Sequence, residues 1–140
     1  MFDELPIHPM FVHFPIALFM TAWGVETASL IFRRDKWHEF ARQIFIIAVV
    51  SCALTVLSGL WEQWRLHLNH PVLTRHRVFG LTTLAISFTG LIIDQVLVEK
   101  KSNQARIIFF LFLCLIATSI GITSFFGGEM VYEYGVGVAK

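Results

Sequence analysis

Four apolar runs dominate this chain, at residues 9–32, 40–64, 76–98 and 107–132, each interrupted by few charges. The hydrocarbon core of a bilayer is about 30 Å thick. A helix rising about 1.5 Å per residue needs about 20 residues to cross it. Within that layer every backbone N–H and C=O must find its partner inside the chain, and a helix satisfies them unaided. Composition agrees: 56% of the 140 residues are hydrophobic and 15% are charged, with a mean hydropathy of +0.67. The chain therefore reads as all-α, an integral membrane four-helix bundle of up-down-up-down topology, forming one domain over residues 1–140.

The links decide orientation. Arg33, Arg34, Lys36 and Arg42 lie in or beside the first, and Lys100, Lys101 and Arg106 in the third. Arg65, Arg75, Arg77 and Lys140 lie on the other side. Basic residues favour the cytoplasmic side, so both termini are expected on the outer, periplasmic face. A cleaved leader is not expected, because the first residues are acidic (Asp3, Glu4) and no small-x-small site follows the first run. A net charge of +1 argues against nucleic acid as a partner. Cys52 and Cys114 fall mid-span on different segments and read as small apolar fillers.

The histidines carry the chemical question. With alternating spans, His8, His13, His67, His70 and His76 gather at the outer end, with Glu62 and Glu129, and only His38 lies opposite. HPMFVHF at 8–14 is echoed by HPVLTRHRVF at 70–79. Proline suits the first turn of a helix, so each His-Pro marks an entrance. In this register His8 matches His70, and His13 matches His76 one to two turns deeper. Spans 1–2 and 3–4 then form two hairpins related by an axis along the membrane normal.

Small and polar residues recur at steps of three and four. They run through His13, Ala17, Thr21, Gly24 and Ala28; through Ser51, Thr55, Ser58 and Glu62; through His76, Gly80, Thr83, Ser87, Gly90 and Asp94; and through Cys114, Ala117, Gly121, Ser124 and Gly128. Such stripes let membrane helices approach closely and are read as the packing faces. Pro15 deprives the Phe11 carbonyl of its helical partner and is expected to bend span 1 beside His13. Glu26 and Asp94, near the inner ends of spans 1 and 3, either reach headgroups and basic side chains or serve a proton path. Trp61 and Trp64 at one interface and Trp37 at the other suit an aromatic belt.

Imidazole ligates haem iron, zinc and copper, and bundle sites are built from inward side chains on facing helices. The leading expectation is a b-type haem held by His13 and His76, with Arg75 and Arg77 on its propionates. Two axial imidazoles leave no open position, so such a haem carries electrons. His8 and His70 would hold a second haem or orient the first pair. A second reading is a non-haem metal ion on some of these histidines with Glu129 or Glu62. A third is a structural or assembly subunit with no cofactor. No nucleophile, phosphate-loop, Cys-x-x-Cys or His-Glu-x-x-His motif is present, so a carrier or accessory role is expected rather than a stand-alone enzyme.

At HPMFVHFPIALF and GGEMVYEYGVGV the chain resembles a bacterial membrane family, the domain of unknown function 2231 family. Its members have a His-Pro-x-x-x-His-Phe-Pro-like entry to span 1, a histidine heading span 3 and a Gly-Gly-x-x-Val-Tyr-x-x-Gly-Val-like tail. These match at His8–Pro15, His76 and Gly127–Val138, so the resemblance covers essentially the whole chain. Relatives occur fused to, or beside, Rieske-type and c-type cytochrome domains, which implies a membrane redox role with such proteins as separate subunits here. Many family tails carry a histidine where this chain has Tyr134, so any ligand role of that histidine is absent here or met differently. The expected protein is thus an electron-transfer subunit of a redox complex in the bacterial inner membrane, surrounded by lipid and working beside a quinone.

Overall fold

A computed structural model of the protein describes residues 7–97 and 102–136. Asp3, Glu4, Lys100, Lys101 and Lys140, used above for leader and orientation, lie outside them. The first helix, α1 (His8–Phe32), opens with proline in its first turn, and its cap residue Ile7 offers no side-chain oxygen. The missing acceptor comes from the second helix, α2 (Asp35–Arg65). There Glu62 accepts the backbone N–H groups of Ile7 and His8 at 3.2 and 3.0 Å. A carboxylate at a helix N-terminus satisfies orphan donors and opposes the helix dipole.

α1 stops where Arg33 turns left-handed (φ 52) and returns its N–H to Ser29. The third helix, α3, runs Pro71–Leu97. The fourth, α4 (Asn103–Tyr132), is capped by Ser102, whose side chain accepts the Ala105 N–H at 3.1 Å. α2 and α3 thus begin before the apolar runs at 40 and 76. All four helices are long and apolar enough to cross a membrane. Consecutive helices run antiparallel as hairpins: His8 of α1 meets Thr55 of α2, and His76 of α3 meets Thr123 of α4, each pair 47 residues apart.

The core is a stack of inward stripes. α1 buries Pro15, Phe19, Ala22, Glu26 and Ser29 at steps of four and three, and α3 buries Thr83, Ser87, Gly90 and Asp94. Phe45 of α2 anchors the middle, 5.9 Å from the Phe19 ring and 5.3 Å edge-on from that of Phe109. Outward positions remain apolar: Ile47, Leu54, Ile92 and Leu111 are all more than half exposed. Such a surface belongs against lipid tails.

Two of the four expected packing faces differ from the observed ones. The stripe of α3 is the buried one, and in α2 Thr55 and Glu62 are buried with Ser51 and Ser58 half-buried. In α1, however, Ala17, Thr21 and Gly24 face outward, as do Gly121 and Ser124 in α4. Large side chains (Phe19, Phe109, Leu113, Ile116) fill the centre there instead, since close-packed interiors reward volume. Pro15 does strand the Phe11 carbonyl, and the Thr55 hydroxyl donates to it at 3.3 Å from the neighbouring helix.

Candidate functional site

At the end of the bundle where α1 and α3 begin, the rings of His8 and His76 face each other with centroids 5.9 Å apart and planes at 76°. Each is held from the neighbouring helix of its own hairpin. His8 Nδ1 lies 3.1 Å from the Thr55 carbonyl and 3.2 Å from the Ser58 hydroxyl. His76 Nδ1 lies 2.9 Å from the Thr123 carbonyl. A carbonyl only accepts, so both Nδ1 atoms carry the hydrogen. In the neutral ring this leaves the lone pair on Nε2.

Glycine makes room for both rings. A Cβ on Gly59 would sit 3.0 Å from Cε1 and Nδ1 of His8, and one on Gly127 would sit 3.2 Å from Cε1 of His76. The same triad of histidine, threonine carbonyl and glycine therefore occurs twice, at His8, Thr55 and Gly59 and at His76, Thr123 and Gly127. The spacing is constant between the copies. The internal repeat is real in this register, which equates His8 with His76 and Glu26 with Asp94. It is not the register suggested by the two His-Pro dipeptides.

The His-Pro spacing in the sequence pairs His13 with His76, and the structure does not. His13 is five residues from His8, about 140° around a helix with 3.6 residues per turn. It is exposed on the outer surface of α1, so the structure brings His8 to His76 instead. His70 precedes α3, accepts the Val72 N–H at 3.3 Å and sets its ring 4.6 Å from that of Tyr134, tilted by 44°. It is thus occupied away from His8. Arg75 lies over the Phe126 ring at 5.9 Å. Arg77 borders the cavity beside the histidine pair and donates to Gln63 at 3.4 Å. Glu129 is half-buried. Glu62 serves as the cap of α1, with Arg65 3.8 Å away.

Two cavities meet at the pair, with volumes of about 110 and 80 Å³, and both imidazoles line both of them. The larger opens toward the helix starts past Gly59, Leu60 and Met130. The smaller reaches into the bundle past Pro15, Phe19 and Thr83. Their walls are mostly apolar, so the histidines are the main donors available to a bound group. Among the described residues no three of His, Cys, Asp and Glu are grouped to hold a metal ion.

At the opposite end, the acids placed near the inner ends of spans 1 and 3 pair across helices. Glu26 accepts from His38 Nδ1 at 2.8 Å. Asp94 accepts three hydrogen bonds from Arg42 at 2.8–2.9 Å. Arg106 of α4 reaches Asp35 at 2.9 Å and the Ser29 hydroxyl at 2.7 Å. The Arg42 and Arg106 contacts join the two hairpins to each other.

No curated protein and no solved structure shows a significant match to the chain. A family model described as Predicted membrane protein (DUF2231) matches residues 4–140, nearly the whole length. With four membrane-length apolar helices in the fold, the chain belongs to this family of membrane proteins of unknown function.

Proposed function

We propose that the chain is a membrane-embedded electron-transfer subunit that holds one b-type haem between His8 and His76. The observation that carries this reading is the facing pair of imidazoles, each fixed through Nδ1–H on a carbonyl so that Nε2 is the ligating atom. Ligating histidines commonly donate their other nitrogen in this way, which sets ring angle and tautomer. Imidazole–metal bonds run about 2.0 Å and the ring centre lies about 1.1 Å behind the ligating nitrogen, so two imidazoles on opposite sides of one iron would put their ring centres about 6.3 Å apart. The observed 5.9 Å is within about half an ångström of that.

The donor set favours haem over a bare ion. Zinc sites use three or four protein ligands, whereas a porphyrin supplies four nitrogens and leaves two positions for side chains. Two imidazoles meet that need, and the missing Cβ atoms at Gly59 and Gly127 clear the backbone behind each ring. A haem held by His8 and His76 would supply reversible one-electron chemistry. The chain's part is to orient the two rings, line the pocket with apolar side chains and offer Arg77 at its mouth to a propionate. His8 is committed to His76, so the reading takes one haem rather than two.

In the same proposal, the histidine end faces outward from a bacterial inner membrane. The electron partners are separate subunits of the Rieske or c-type cytochrome kind, with quinone as the lipid-soluble carrier. The reduced-minus-oxidised absorption spectrum of the purified protein, expressed with haem supplied, tests the core of it. A haem α-band is expected, with the low-spin electron paramagnetic resonance signature of two imidazole ligands. Absence of the band ends the reading.

A further inference from the structure

The end of the bundle away from the histidine pair holds two related acids with unlike partners. Glu26 of α1 and Asp94 of α3 occupy matching places in the two hairpins. Asp94 is saturated: both its oxygens accept from the Arg42 guanidinium, at 2.8–2.9 Å. Arginine does not give up its proton in proteins, so that acid is held as a fixed ion pair. Glu26 has zero exposure. Its Oε2 accepts from His38 at 2.8 Å, while its Oε1 is buried with no hydrogen-bond partner.

That orphan oxygen distinguishes the two states available to Glu26. A buried ionised carboxylate with an unpaired oxygen costs more than a buried neutral carboxyl with one unpaired group. Among the described charges at this end, Arg42 is engaged by Asp94, and Arg106 by Asp35 and the Ser29 hydroxyl, while Arg33, Arg34, Lys36 and Glu39 form no ion pair or hydrogen bond with Glu26. Among the described residues His38 is the one titratable side chain in contact with Glu26. Its ring sits edge-on to Phe109 at 5.6 Å, and its side chain is 22% exposed. One edge of the imidazole therefore touches the buried acid while part of the ring reaches the surface.

We propose that Glu26 and His38 form a proton-binding site, filled from the aqueous phase at this end of the bundle. A proton arriving at Nε2 of the neutral ring lets the Nδ1–H bond break and an O–H bond form on Glu26. The ring is left neutral as its other tautomer, and the site empties by the reverse step: Nδ1 takes the proton back from the Glu26 carboxyl as Nε2–H is released to water, which leaves Glu26 ionised. Between this site and the histidine pair lies a layer of Phe19, Phe45, Val49, Leu113 and Ile116, all nearly or fully buried. The hydroxyls buried at this depth, Thr83, Ser87 and Ser119, bond to helix carbonyls and to one another. Among the described residues none of their hydrogen bonds reaches Glu26 or His38, so the proposed site is one that stores and exchanges a proton. The inference is independent of the haem reading.

Infrared difference spectra of the full chain in lipid nanodiscs, recorded on stepping the pH between about 5 and 8, test it. A deuterium-sensitive C=O band of a protonated buried carboxyl is expected. It should be lost in Glu26→Gln and kept in Asp94→Asn. His38→Arg, which gives Glu26 the kind of partner Asp94 has, should abolish the band by holding the carboxylate ionised. The proposal fails if wild type shows no such band, or if the band survives Glu26→Gln or His38→Arg. Should Glu26→Gln not assemble, the His38→Arg spectrum decides alone.

Discussion

His8 and His76 meet across the bundle at 5.9 Å, yet neither is oriented by the other or by its own helix. The Thr55 carbonyl of α2 fixes His8, and the Thr123 carbonyl of α4 fixes His76. Four helices thus converge on two rings: α1 and α3 supply them, and α2 and α4 set their angle. A backbone carbonyl is not removed by side-chain mutation, which makes the orientation a property of how each hairpin packs.

The first prediction separates the histidines. His8→Ala or His76→Ala should each abolish the haem α-band, because one axial ligand is lost. His13→Ala and His70→Ala should leave its intensity and position unchanged, since His13 faces outward and His70 is engaged with Val72 and Tyr134. Side-by-side difference spectra of the four variants check this. Loss of the band in His13→Ala with retention in His8→Ala would reverse the assignment.

The second concerns the glycines. Gly59→Ala places a methyl 3.0 Å from the His8 ring, and Gly127→Ala one 3.2 Å from His76. Each ring must give by a few tenths of an ångström against the carbonyl that holds it, and disturbing the group that orients a ligand weakens binding about 10–100-fold. Haem titration of the purified apoprotein reads this directly. Gly24→Ala and Gly121→Ala, whose added methyl meets nothing within 4 Å, are the controls. They should bind as wild type does and stabilise their helices by about 0.5–1 kcal/mol.

Helix number and the convergence of histidines at one end were legible in the sequence, because apolar run length and link position fix both. The pairing was not. The eye follows the identical His-Pro dipeptides at 8–9 and 70–71, but α3 extends past its matching point, so His76 rather than His70 is the counterpart of His8. The signal that finds the true register is fainter and spread out: histidine, threonine and glycine repeating at one spacing through 8, 55, 59 and 76, 123, 127. The lipid-facing small stripe of α1 misled for a related reason. In a membrane helix both faces are apolar, so hydrophobic contrast does not say which is inside, and bulky Phe19 proved the better marker of the core.

A third prediction tests the cap shared between helices. Glu62→Ala leaves the N–H groups of Ile7 and His8 without their acceptor, at about 1–2 kcal/mol by analogy with N-cap removals. His8 is the first residue of α1, so its ring should also lose its fixed position. Thermal unfolding in detergent should show the lower midpoint, and the electron paramagnetic resonance line of the haem should broaden. Glu62→Gln keeps one acceptor oxygen and should recover most of both effects. Unchanged spectra in Glu62→Ala would show that the cap does not position the ligand.

The last prediction weighs the two ionic contacts that join the hairpins. Asp94 is 7% exposed and Arg42 16%, with three short hydrogen bonds between them. Removing one partner of a buried pair leaves the other charge uncompensated, so Asp94→Ala should cost about 3–5 kcal/mol. Replacing both with apolar residues of similar size, as in Arg42→Met with Asp94→Leu, removes the charge problem and should restore most of that loss. The Arg106–Asp35 contact is equally short, but Asp35 is 93% exposed. Water screens it, and Asp35→Ala should change stability by no more than about 1 kcal/mol. Unfolding midpoints of the three variants in one detergent rank the contacts. If Asp35→Ala proved as damaging as Asp94→Ala, exposure would not be what sets their strength, and the hairpins would be held at the α1–α2 turn rather than between α2 and α3.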